Sequence, residues 1–234
     1  MELTQAIILA GGFGTRLKSV VSDVPKPMAL INNKPFLEYQ INYLKTQGIR
    51  EIIIATHYMH EKFVAYFENG EKFGVKVIYS LEPEPLGTGG ALKLTKKFII
   101  SRFVLVNGDT YFNCDLKLAE ACHAKNNAVA TIALASVPDT SRFGLVITDS
   151  KNKIIKFVEK GQRIAGENKI NTGSIILSPE IFNYIPEGKV SLEKDIYPTL
   201  IAEGRLFGVA MPDRFIDIGL PESYEEFKNM AKTL

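Results

Sequence analysis

Residues 6–17, Ala-Ile-Ile-Leu-Ala-Gly-Gly-Phe-Gly-Thr-Arg-Leu, decide how this chain is read. The unbroken apolar run from Ala6 to Ala10 has the pattern of a strand covered on both faces, as in a parallel sheet. Gly11, Gly12 and Gly14 follow at once, then Thr15 and Arg16, and Lys26 stands further on between Pro25 and Pro27. These are the parts of a triphosphate cradle. Glycines let backbone N–H groups approach phosphate oxygens, while Arg16 and Lys26 bring fixed positive charge to the same anion. The flanking prolines restrict the backbone and so limit the entropy lost when the Lys26 ammonium docks. The P-loop pattern GxxxxGK[ST] is absent, as is the third glycine of GxGxxG. A plain glycine turn after a strand is the simpler alternative, and a lone Gly-Gly would favour it; the whole cassette favours phosphate.

Outward from that strand, Ile52–Ala55, Val75–Tyr79 and Phe103–Val106 are further short β-rich runs, the first and last of them continuous enough to be covered on both faces. Helical spacing fills the gaps. Phe36, Leu37, Tyr39, Gln40, Ile41, Tyr43 and Leu44 include i, i+3 and i+4 apolar recurrences after Pro35, with Gly48 as the stop, and residues 60–68 and 88–98 play the same part. Alternation of this kind predicts an α/β fold, Rossmann-like and three-layered, with a mixed, mostly parallel central sheet. Strands are expected at 129–134, 144–148, 153–158 and 173–177, where the second half turns more mixed.

The chain has 234 residues, 46% of them hydrophobic, with 28 Lys+Arg against 26 Asp+Glu. A chain of that length can bury roughly 70% of its unfolded surface without disulfides or a structural metal, which excludes disorder and small stapled scaffolds. One domain over 1–234 is expected, with 1–115 mainly binding nucleotide and 116–234 mainly binding the second substrate. A formal charge of +2 offers no concentrated basic face for nucleic acid, so any anion bound must be small. No apolar stretch approaches the ~18 residues that span a bilayer, and the N-terminus lacks the layout of an export signal, so a cytoplasmic protein is expected. Cys114 and Cys122 form no CxxC and read as reduced thiols, and a homo-oligomer remains compatible with this composition.

Ligands of open α/β sheets sit beyond the carboxyl ends of strands, and the remaining motifs fall there. Asn107-Gly108-Asp109 follows one buried run, and Phe215-Ile216-Asp217 repeats the arrangement late in the chain. Mg²⁺ is commonly held by one or two carboxylates plus substrate phosphates, a set that Asp109 and Asp217 could supply; each aspartate alone could equally cap a turn. Glu82 and Leu86-Gly87-Thr88-Gly89-Gly90-Ala91 follow the third run, with glycines for close contact to a flat ligand and Thr88 as a candidate helix cap. Glu159-Lys160 pairs a carboxylate for sugar hydroxyls with a cation for phosphate, although such a pair by itself is usually solvated surface. Neither the histidines nor any serine sits in a metal-binding or nucleophile-elbow pattern.

Taken in order, GGFGTRL, PKPM, LGTGGA, NGD, FVEK, INTG and FIDIG resemble the sugar-1-phosphate nucleotidylyltransferases over essentially the whole chain. The resemblance implies transfer of a nucleotidyl group from a nucleoside triphosphate to a sugar 1-phosphate, with Mg²⁺ and release of pyrophosphate. It implies that Leu9, Ala10, Gly11, Gly12, Gly14, Thr15 and Arg16 hold the nucleotide, that Lys26 stabilises charge at the α-phosphate, and that Glu82, Gly87 and Thr88 flank the base near Asn107 and Gly108. Asp109 and Asp217 would bind the metal, with Arg16, Lys26 and Asp109 as the catalytic set. Gly144, Glu159, Lys160, Asn171 and Thr172 would hold the sugar phosphate.

EPLGTGGAL, SLEKDIYPTLIAEGRLFGV and FIDIGLPESY look most like guanylyltransferases, which implies GTP. LKSVVSDVPKPMALINNKPFL, PDTSRFGLV and EKG in place of EKP are similar to the branch acting on D-glycero-α-D-manno-heptose 1-phosphate in surface-glycan synthesis. The alternatives are a mannose-1-phosphate guanylyltransferase, a uridylyl- or cytidylyltransferase, or a non-catalytic sugar-nucleotide sensor. A sensor could lose Arg16, Lys26, Asp109 or Asp217, and all four are present.

Overall fold

A computed structural model describes residues 3–12, 23–162 and 164–234. Gly14, Thr15 and Arg16 lie outside these described residues. In chain order the elements are β1 (Gln5–Leu9), β2 (Leu30–Ile31), β3 (Lys34–Pro35), α1 (Phe36–Thr46), β4 (Glu51–Thr56), α2 (His60–Phe67), β5 (Lys76–Leu81) and α3 (Gly87–Leu94). They continue as β6 (Phe103–Asn107), β7 (Thr110–Phe112), α4 (Leu116–Lys125), β8 (Ala130–Ser136), β9 (Leu145–Thr148), β10 (Ile154–Val158) and β11 (Lys169–Leu177). The last four are α5 (Tyr197–Ala202), β12 (Leu206–Ala210), β13 (Phe215–Asp217) and α6 (Pro221–Met230).

The sheet is mixed, and its first-half strands β5, β4, β1 and β6 run parallel side by side in that order. β11 then pairs antiparallel with β6 and β8, β9 and β10 follow antiparallel, and β12 lies parallel to β8. Both faces are covered, which the strands encode by alternation. Ala6 and Ile8 enter one core with Ile52, Ile54, Val104 and Val106, while Ile7, Ile53 and Leu105 point into the other. α1, α2 and α6 close the first core with Phe36, Leu37, Phe63, Phe67 and Phe227; α3 and α5 close the second with Leu92 and Leu200.

The chain leaves β1 toward β4 and β5 on one side, then returns to place β6 on the other, so β1 and β6 flank a topological switch point. Such a point opens a crevice at the strand ends, where the two following loops diverge. Gly108 is what lets those loops touch. Its N–H donates to the Leu9 carbonyl at 2.9 Å, and a Cβ there would stand 2.8 Å from that same oxygen.

Most expected elements form, with boundaries moved by one to a few residues. Helix 88–98 instead stops at Leu94, because the Thr95 hydroxyl bonds the Leu92 carbonyl and the chain tightens into a 3₁₀ turn over Lys96–Phe98. Thr88 does not cap that helix; its hydroxyl donates to Glu193 and accepts from the Leu192 N–H, tying α3 to the segment before α5. The ribbon of β7 and β13 carried no sequence signal of pairing. It registers Asp217 against Thr110 and so places Asp217 beside the Asn107–Asp109 turn.

Candidate active site

A cavity of about 300 Å³ opens at the carboxyl ends of β1 and β6. Leu9, Ala10, Gly11 and Gly12 form one wall, Asn107, Gly108 and Asp109 a second, and Glu82, Gly87 and Thr88 a third, with Lys26 between them. Every nucleotide-site residue named from sequence and present among the described residues lines it.

Glu82 is buried at the end of β5, its Oε2 accepting the Leu86 N–H at 3.2 Å, and burial raises its carboxyl above the usual range. Its other oxygen lies against Gly11, where a Cβ would collide with the carboxylate. Glycine at this position therefore lets backbone and carboxylate share one wall of a narrow slot.

Lys26 opens a 3₁₀ turn over Lys26–Met28 and is almost wholly enclosed. Its Nζ lies 2.7 Å from Asp109 Oδ2 and 3.8 Å from Asp217 Oδ1. Arg142 completes the cluster, its NH2 at 3.2 Å from Asp217 Oδ2, while the Gly219 N–H donates to Asp217 Oδ1. Burial above all, and the Asp109 carboxylate next, push the Asp217 carboxyl up; Lys26 and Arg142 oppose them. Two converging carboxylates, one of them enclosed and already strained by the other, are a donor set for a divalent cation completed by phosphate oxygens. No group of three or more metal-ligating side chains occurs among the described residues.

Gln40, which sequence reading missed, holds this turn. It is buried on α1, and its side-chain amide donates to the Asn107 and Thr110 carbonyls on either side of Asp109. Arg142 was missed as well, although its place two residues before Gly144 in Ser-Arg-Phe-Gly was a signal.

The residues expected to hold the sugar phosphate form a second group. The Gly144 carbonyl accepts the Asn171 N–H at 2.8 Å, and the Ser141 carbonyl accepts that of Gly161, so the loop before β9 packs on the segment carrying Glu159 and Lys160. Glu159 Oε1 is shut from solvent with no partner, and Lys160 is exposed. Thr172 faces inward, its hydroxyl donating to the Ala133 carbonyl, and its own carbonyl accepts the Thr110 hydroxyl. Through that last contact the second group abuts the Asp109 turn.

Residues 5–233 match the nucleotidyl transferase family. The chain is 44% identical over 95% of its length to the D-glycero-alpha-D-manno-heptose 1-phosphate guanylyltransferase of Campylobacter jejuni, covering 98% of that protein. To the enzyme of the same name from Aneurinibacillus thermoaerophilus it is 42% identical, covering 95% of this chain and 96% of the relative. Among solved structures, HddC from Yersinia pseudotuberculosis, 37% identical, superposes with a TM-score of 0.85 over 98% of this chain and 100% of that one, and a second HddC crystal structure is complexed with GMP-PN. Sequence identity along nearly its whole length, a shared fold and a glycine-rich cavity at the strand ends agree: the chain belongs to the nucleotidyl transferase family.

Proposed function

We propose that this protein transfers GMP from GTP to D-glycero-α-D-manno-heptose 1-phosphate, giving GDP-heptose and pyrophosphate. The observation that carries this reading is the convergence of Lys26, Asp109 and Asp217 beside a cavity whose far wall is the buried Glu82 carboxylate. A carboxylate acceptor suits the N1–H and amino donors of guanine, and the two relatives most similar in length and identity here are named for the heptose reaction.

Gly11, Gly12 and Gly108 bring backbone to the nucleotide, and Lys26 meets the α-phosphate as charge builds there. Mg²⁺, held by Asp109 and Asp217, would supply charge neutralisation for the phosphates. Arg16 joins Lys26 on the triphosphate. On the acceptor side, Glu159 Oε1 is an unmatched buried acceptor suited to a sugar hydroxyl, Lys160 reaches phosphate, and Asn171 with the Gly144 loop shapes the sugar pocket. Thr172 serves this pocket by positioning, since its hydroxyl is engaged.

An oxygen of the sugar phosphate attacks the α-phosphorus, and pyrophosphate leaves on the opposite side with the bonding electron pair. No general base is required, because a phosphate monoester with a second pKa near ~6 is already ionised at neutral pH. Positioning and charge do the work. A nucleoside triphosphate substrate argues for a cytoplasmic site of action, and no helix among the described residues is long and apolar enough to cross a membrane.

The test is a matrix of GTP, ATP, UTP, CTP and dTTP against the heptose, mannose and glucose 1-phosphates, scored by pyrophosphate release. GTP with the heptose phosphate should give the highest kcat/KM. Preference for mannose 1-phosphate would reassign the sugar; preference for another triphosphate would remove Glu82 as a guanine reader. Binding of GTP without pyrophosphate release from any pair would mark a sensor instead.

A further inference from the structure

Arg142 carries more donor capacity than the protein uses. Its NH2 bonds Asp217 Oδ2, yet its Nε is shut from solvent and meets no acceptor. A buried unmatched donor is costly, and a guanidinium with one edge engaged and another idle is suited to an incoming anion that brings several oxygens. The guanidinium is also held in place. Its central carbon stands 5.3 Å from the Phe143 ring, and Phe143 packs edge-on against Phe215 of β13, two residues from Asp217.

Its position says which anion. Arg142 does not line the nucleotide cavity, and its loop packs instead on the Glu159–Gly161 segment through the Ser141 carbonyl. Charge agrees. Asp109 and Asp217 are balanced by Lys26 and Arg142, and a divalent cation held by the two carboxylates would leave both side-chain cations available to phosphates. Lys26 lines the nucleotide cavity; Arg142 stands outside it, on the loop packed against the Glu159–Gly161 segment.

We propose that Arg142 joins Lys160 as a receptor for the phosphate of the acceptor sugar, holding it in line for attack and trading its bond to Asp217 for that phosphate. This rests on the reading of the site as a sugar-1-phosphate nucleotidyltransferase. In the step, a non-bridging oxygen of the acceptor phosphate forms the new bond to the α-phosphorus, the bond from that phosphorus to the pyrophosphate oxygen breaks, and no proton moves. Arg142 offsets the repulsion between two phosphates brought together.

The experiment measures KM separately for GTP and for the sugar 1-phosphate on which the wild-type protein is active, in Arg142→Gln and Arg142→Lys. It adds calorimetric titration of that sugar phosphate into protein saturated with Mg²⁺ and a non-hydrolysable GTP analogue. Arg142→Gln should weaken acceptor binding and raise its KM by about ten- to a hundredfold, leaving the KM for GTP near wild type. Arg142→Lys should recover part of that loss, and its retained charge beside Asp217 guards against a folding defect. An unchanged acceptor KM with a raised GTP KM or metal requirement would reduce Arg142 to a brace for Asp217 and overturn the inference, while the parent reading stands. A wild-type protein inactive with every sugar phosphate would overturn both.

Discussion

Lys26 Nζ and Asp109 Oδ2 meet at 2.7 Å, an ion pair between residues 83 positions apart that ties the Lys26–Met28 turn to the turn between β6 and β7. The lysine is enclosed and the aspartate about one-third exposed, so the pair is poised to open toward a ligand. Lys26→Ala should therefore lower turnover by about a hundred- to a thousandfold, the usual effect of removing one preorganised donor from a developing anion. Steady-state rates with a melting curve to confirm folding provide the check, and near wild-type turnover would remove Lys26 from the mechanism.

Asp217 should titrate above the ordinary aspartate value of 3.8, because burial and the Asp109 charge both oppose its ionisation. Its carboxyl ¹³C shift followed against pH reports the midpoint directly. Asp109→Asn removes the like charge and frees Lys26, so the midpoint should fall in that variant. Since a divalent cation needs the ionised form, metal affinity of the wild type should already weaken on acidification at a pH where a free aspartate would still be fully charged. In Asp109→Ala and Asp217→Ala the Mg²⁺ titration of activity should shift to higher concentration.

Gly108→Ala tests the close approach of the two loops. The added methyl would stand 2.8 Å from the Leu9 carbonyl and 3.2 Å from Pro27, so backbone has to move. A loss of about 1–3 kcal/mol in denaturant melts is expected, the usual range for overpacking, together with weakened nucleotide binding.

His123 lies outside the cavity lining and should make the fold sensitive to acid. Both ring nitrogens are engaged, with Thr131 and Ser178, and burial lowers its pKa from 6.5 to about 4. The unfolded chain therefore binds a proton that the folded protein refuses between those values. Stability from this group is present above pH 6.5 and lost as pH falls toward 4. Melting temperature should decline across that window, and His123→Gln should flatten the decline while lowering stability at neutral pH.

The parallel half of the sheet was legible because Ala6–Ala10, Ile52–Ala55 and Phe103–Val106 are buried on both faces and read as continuous apolar runs. Part of the cavity lining was legible for a related reason, since Gly11, Gly12, Asn107, Gly108 and Asp109 stand just past two of those runs. Arg142 and Gln40 were not. A guanidinium facing a carboxylate 75 residues away, and an amide spanning a turn nearly 70 residues on, are tertiary relations that leave no local period or spacing. Thr88 and Thr172 show the converse: their motifs are local and readable, yet their hydroxyls are spent on neighbouring chain rather than free for a ligand.

The two-stranded ribbon of β7 and β13 sets beside the Asp109 turn an aspartate, Asp217, that is synthesised about a hundred residues later. A growing polypeptide that has completed the whole nucleotide wall still owns only half of the carboxylate pair until Asp217 is made and the ribbon closes. The cavity's walls wait on the same late segments, since β6 pairs with β11 and Thr88 bonds Glu193, so the site is completed only as the second half of the chain folds back on the first.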